Sequence, residues 1–161
     1  RGGTLSEAFE DARDSARKVV KAVRKNAEHQ PVPSHNDLLT ANFLNDGERL
    51  VIVDWEYAGM GDRFFDLGNF AVNNELGDED EDRLLAAYFR EPATPRRQAA
   101  LKLFRFMSDF REAMWGVVQT SVSELDFDFE AYADKHFKRM AETSEDERFR
   151  GWLKEAGGRS P

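Results

Sequence analysis

Ser34-His35-Asn36-Asp37-Leu38-Leu39-Thr40-Ala41-Asn42 is the stretch on which the reading of this chain turns. Just before it, Pro31 and Pro33 each remove a backbone donor and restrict the residue ahead of them, so the chain enters extended and the stretch itself lies on a loop. Just after it, Ala41-Asn42-Phe43-Leu44, the turn signal Asn45-Asp46-Gly47 and the β-rich run Leu50-Val51-Ile52-Val53-Asp54-Trp55 read as a hairpin. No other segment reads as a strand. The returning strand, read as buried, delivers Asp54 seventeen residues after Asp37.

That spacing has a chemical use. Phosphoryl transfer to a hydroxyl needs a carboxylate to accept or orient the acceptor's proton, and oxygen ligands for a Mg²⁺ that bridges the phosphates. In the pattern H-x-D-x-x-x-x-N, Asp37 faces the acceptor and Asn42 offers a neutral oxygen as the chain enters the hairpin. Asp54 adds an anionic one. Few, fixed oxygen donors suit Mg²⁺ better than zinc. Taken singly, Asp37 and Asn42 are turn residues first; it is their combination with Asp54 that points to chemistry.

Outward from the loop the chain is helical. Leu5, Ala8, Phe9, Ala12, Ala16, Val19, Val20 and Val23 recur at helical spacing, with Thr4 and Glu7 as a capping box. Downstream, helices are expected at about 64–74, 80–89, 95–122, 129–142 and 145–156; Thr94-Pro95 and Ser144 with Glu147 supply starts and Gly157 a stop. The acidic run 78–82 reads as a solvated loop and helix start. At 161 residues the chain suits one domain, and 23 basic against 31 acidic residues, net −8, argue against holding nucleic acid or an anionic membrane by bulk charge. No cysteine is present, which excludes disulfides and thiolate chemistry and fits a cytoplasmic setting. No run approaches the length of a membrane span.

His35 through Asn42, together with Ile52-Val53-Asp54-Trp55-Glu56-Tyr57-Ala58-Gly59, resembles the catalytic and metal-binding motifs of the choline/ethanolamine kinase and aminoglycoside phosphotransferase superfamily. Phe65-Asp66-Leu67-Gly68-Asn69 resembles that superfamily's next block, and Trp115-Gly116-Val117-Val118-Gln119 through Phe127, Tyr132-Ala133 and Phe137 is similar to its choline-kinase branch. The resemblance implies an α+β, mostly helical fold, the C-terminal lobe of a protein-kinase-like architecture with one catalytic β-hairpin. It implies Asp37 as catalytic base, His35 as a buried support of the catalytic loop, and Asn42 and Asp54 as Mg²⁺ ligands that hold the ATP phosphates. Asp66 is expected to be a structural hydrogen-bond acceptor.

Neither the phosphate-covering glycine loop nor the strand lysine that such enzymes use on the nucleotide is found. Residues 1–161 are therefore expected to be a single catalytic lobe, inactive without an N-terminal lobe of the same protein; the chain also begins in mid-pattern, without Met. The implied substrate is a small-molecule alcohol, choline, ethanolamine or a similar amino alcohol. Trp115 and Glu112, three apart on one helix face, are the expected ring and carboxylate for its ammonium. Two departures stand out: Glu112 or Val118 occupies the place of the branch's second tryptophan, and Asn73 that of an acid after the third block. An aminoglycoside or sugar-hydroxyl kinase and a non-catalytic kinase-like binding module are the alternatives.

Overall fold

Ala12, Ala16, Val19 and Val23 form one buried stripe along the first helix, α1 (Glu7–Val23), and the body of the protein is built by helices that cover such stripes. The computed structural model describes residues 7–24 and 28–157. The capping box expected at Thr4 therefore lies outside the described residues. After α1 come β1 (Pro31–Ser34), a single 3₁₀ turn (Thr40–Asn42), β2 (Phe43–Asn45), β3 (Leu50–Ile52) and β4 (Gly59–Asp62). Five helices follow: α2 (Arg63–Asn73), α3 (Asp78–Phe89), α4 (Pro95–Val122), α5 (Phe129–Glu145) and α6 (Phe149–Ala156).

The 28-residue α4 is the central rod. Pro95 opens it and the Thr94 hydroxyl accepts from the Arg97 N–H, as the sequence predicts. Leu101, Leu103, Phe104, Phe106 and Ala113 of α4 are buried against α2, α5 and α6. At Gly68 on α2 the two helices touch backbone to backbone: a Cβ there would stand 2.6 Å from the Phe104 backbone carbon. Only glycine permits that approach.

β2 and β3 form the expected hairpin, registered Phe43 to Ile52 and Asn45 to Leu50. Its turn is held by Asp46 Oδ1, which accepts from the Glu48 and Arg49 N–H groups, with Gly47 at φ 92°. The returning strand is not buried, contrary to the sequence reading: Leu50 is 62% exposed and Val51 38%. The hairpin meets the helical body through Phe43, edge-on to Phe70 at 5.4 Å, and otherwise projects from it.

A second antiparallel pair, β1 with β4, was not legible as strands. Pro31, Pro33, Gly59 and Gly61 are poor strand formers, but a two-stranded ribbon has only outer edges, where missing donors cost little. Two further expectations are corrected. Ser144 starts no helix, because α5 runs on to Glu145 and Ser144 donates back to the Ala141 carbonyl. In the acidic run, Glu81 is buried and ion-paired with Lys102 and Arg105 of α4, so α3 uses it to dock rather than to face water. No described helix is long and apolar enough to cross a membrane.

Candidate active site

The loop between β1 and the 3₁₀ turn is fixed from beneath by α2. Asp66 spends both carboxylate oxygens on loop amides, Oδ2 accepting from the His35 N–H at 2.7 Å and Oδ1 from the Asn36 N–H at 2.8 Å. Asn69, fully buried, accepts from the Leu38 N–H at 2.5 Å and donates to the Ser108 hydroxyl of α4 at 2.9 Å. Helix α2 thus holds three successive points of the loop. That is the structural role expected of Asp66.

His35 is buried and reads two strands of chain at once. Its Nδ1 accepts from the Asp37 N–H at 3.2 Å, so the proton sits on Nε2, which donates to the Val53 carbonyl at 2.9 Å. The ring stands edge-on to Trp55 at 4.6 Å. The histidine ties the loop to the segment after β3. A second tie is the Val53 N–H donating to the Asn42 carbonyl at 3.0 Å. These two links set Asp54, the next residue, beside Asn42.

The Asn42 amide nitrogen donates to the Asp37 carbonyl at 2.9 Å and to Asp37 Oδ2 at 3.3 Å, which turns its side-chain oxygen away from Asp37. Asp54 lies two residues past β3, exposed, at φ 65° in the left-handed region, and no described residue donates to its carboxylate. Asn36 adopts the same region at φ 66°. One residue inside the loop and one just past β3 thus hold a conformation that costs an L-residue about 1 kcal/mol or more. The donor set fits a magnesium ion: a free carboxylate and an amide oxygen, both hard, on adjoining pieces of backbone.

A cleft of about 420 Å³ opens on the other side of Asp37. Its floor is Asp37, Glu56 and Tyr57; Arg111, Glu112 and Trp115 of α4 form one wall and Tyr132 of α5 closes it. Trp115 is 41% exposed and edge-on to Tyr132 at 5.6 Å, so it lines the cleft rather than the core. Gly116 lets α5 come this close: a Cβ there would lie 3.1 Å from Tyr132 Cδ1. Glu112 is buried, its Oε2 accepting from the Tyr132 hydroxyl at 2.7 Å and its Oε1 from Arg111. Arg111 also donates to Asp37 Oδ1 at 2.9 Å.

The electrostatics follow from these contacts. Burial works against the Arg111 charge, but its pairs with Glu112 and Asp37 outweigh burial and hold the guanidinium above its ordinary range. Burial, and then Glu112, push the Tyr132 phenol well up, and the Glu56 charge raises that of Tyr57. Both phenols stay neutral at physiological pH. Sequence reasoning named Asp37, His35, Asn42, Asp54, Trp115 and Glu112, and missed Arg111, Glu56, Tyr57 and Tyr132 as members of this cleft. Tyr57 and Tyr132 stood inside the resembling segments; Arg111 carried no signal, being 74 residues from Asp37.

The profile of the APH family, described as the phosphotransferase enzyme family, matches residues 2–101. The chain belongs to that family. It is 31% identical over 120 residues to protein LicA of Haemophilus influenzae strain Rd, a match covering 68% of this chain and 44% of that protein. It is 33% identical over 125 residues to human ethanolamine kinase 2, covering 65% and 32% respectively. A solved choline/ethanolamine kinase family protein from Mesorhizobium loti shares the fold with a TM-score of 0.88 at 32% identity, covering 97% of this chain and 53% of that one. The chain thus spans less than half the length of these curated relatives and about half of the solved one. The kinase-like, mostly helical lobe expected from the motifs is the fold observed.

Proposed function

We propose that this chain is the catalytic and acceptor-binding part of an ATP-dependent kinase that phosphorylates the hydroxyl of a small amino alcohol such as choline or ethanolamine. The observation that carries the reading is the cleft beside Asp37. Three carboxylates, Asp37, Glu56 and Glu112, share it with one guanidinium and three aromatic rings, so it is net anionic and ring-walled. Such a wall suits a small ammonium, since ring faces attract the cation and carboxylates supply charge. The compactness of the cleft favours an amino alcohol over an aminoglycoside.

In this reading Asp37 takes the hydroxyl proton as the acceptor oxygen bonds to the γ-phosphorus of ATP and the bond from that phosphorus to the β–γ bridging oxygen breaks, releasing ADP, with Trp115, Tyr132 and Glu56 orienting the ammonium end. Asn42 and Asp54 would hold Mg²⁺, which when bound neutralises phosphate charge. His35 keeps loop and metal-side backbone in register. The test uses the full-length protein with MgATP and choline, ethanolamine or an aminoglycoside, followed by ³¹P NMR. A phosphomonoester of an amino alcohol is the expected product, and Asp37→Asn should lower kcat by about 10²- to 10⁴-fold, the usual worth of a general base. Phosphorylation of the aminoglycoside alone would overturn the acceptor assignment, and no phosphoryl transfer at all the kinase assignment.

A further inference from the structure

We infer that Arg111 is a positioning residue that locks the Asp37 carboxylate to the acceptor wall, an inference that rests on the kinase reading above. Its guanidinium reaches from α4 into the loop and makes three kinds of contact. It donates to the Asn36 carbonyl, to Asp37 Oδ1 at 2.9 Å, and to Glu112 Oε1 with Nε at 3.1 Å. Beneath it lies the Phe65 ring of α2, 5.5 Å from the guanidinium carbon to the centroid. Because Tyr132 holds the other oxygen of Glu112, the contacts run unbroken from Asp37 through Arg111 and Glu112 to Tyr132.

The site needs such a group for a physical reason. Asp37 and Glu112 line one part-buried cleft, where two like charges repel each other. A guanidinium between them offsets that repulsion, and its rigid planar fork of five donors serves two acids and a carbonyl at once, with more reach than an ammonium's three. With Oδ1 held by Arg111 at 2.9 Å and Oδ2 accepting only the longer 3.3 Å bond from the Asn42 amide, Oδ2 is the oxygen with a lone pair to spare for the incoming hydroxyl. The same cation that orients the base thus also orients Glu112, on the wall where the ammonium sits. Base and acceptor are set by one side chain.

Three variants of the full-length protein test this, assayed with whichever acceptor the wild type phosphorylates. Arg111→Gln keeps part of the stem and an N–H donor but has no charge, Arg111→Lys keeps the charge, and Arg111→Ala keeps neither. Positioning predicts that Arg111→Gln and Arg111→Ala both lose about 10²-fold in kcat, as expected of a misplaced reacting group, with the KM for ATP unchanged. Arg111→Lys should recover to within about tenfold of wild type because a cation still separates the two acids. An Arg111→Gln enzyme with near-wild-type kcat would overturn the inference, since packing and one hydrogen bond would then suffice. So would equal losses in all three variants accompanied by a fall in melting temperature. A wild type inactive on every alcohol would instead remove the kinase reading beneath it.

Discussion

Asn69 touches no water, yet both ends of its amide are engaged, one by the Leu38 N–H of the loop and the other by the Ser108 hydroxyl of α4. Replacing it by Ala strands the buried Ser108 hydroxyl and the part-buried Leu38 N–H, and an unsatisfied buried group costs about 1–3 kcal/mol, so chemical denaturation should report a loss of that order. Trp115 answers to a different measurement. Its ring is half-exposed on the cleft beside Asp37, and on the proposed function Trp115→Ala should raise the acceptor KM by roughly tenfold while the KM for ATP stays put. Equal changes in both constants would show that the ring does not serve the acceptor. Asp37, Asn42 and Asp54 were legible because a short loop and a hairpin bring them together locally. Arg111 was not, because its partner lies 74 residues away and the meeting depends on how α4 crosses α2.

The crossing of α2 and α4 at Gly68 is the element-scale counterpart. A methyl group there meets the backbone of Phe104 and Arg105 under 3 Å, and a packed helix backbone cannot yield as a side chain can. Gly68→Ala should therefore cost about 1–3 kcal/mol, as overpacking does, and should disturb the loop that α2 supports. A melting curve identical to wild type would show that α2 can shift freely. The link between α5 and α6 carries a pH dependence. Side-chain and backbone N–H groups of Arg148 hold Asp146 down to a pKa of about 2, against 3.8 ordinarily. A carboxylate lowered on folding stabilises above its unfolded value and loses that contribution as pH falls from about 4 towards 2. Melting temperatures of Asp146→Asn and wild type should differ at pH 7 and converge towards pH 2. The helices themselves were readable from periodicity and caps, Pro95 to Val122 to the residue. β1 and β4 were hidden by their prolines and glycines, residues that signal turns wherever no edge position is foreseen.

At the scale of the whole molecule, the apolar residues of the hairpin are exposed, with Leu44 at 53% and Leu50 at 62%, and the chain spans 44% of LicA and 32% of human ethanolamine kinase 2. Residues 1–161 expressed alone should consequently show turnover with MgATP at least about 10²-fold below that of the full-length protein, the loss expected when phosphate positioning is removed. Comparable turnover would mean that the nucleotide is held by this lobe unaided. A last consequence comes from α4 being one unbroken helix that carries Ser108 beneath the loop, Arg111 against Asp37 and Trp115 on the wall of the cleft. Each residue inserted into or deleted from a helix turns everything beyond it by about 100° and slides it by about 1.5 Å. Between Ser108 and Trp115 the gene can therefore drift by substitution but not by change of length, and altered acceptor preference in relatives should be written as point changes on one helical face, never as gaps.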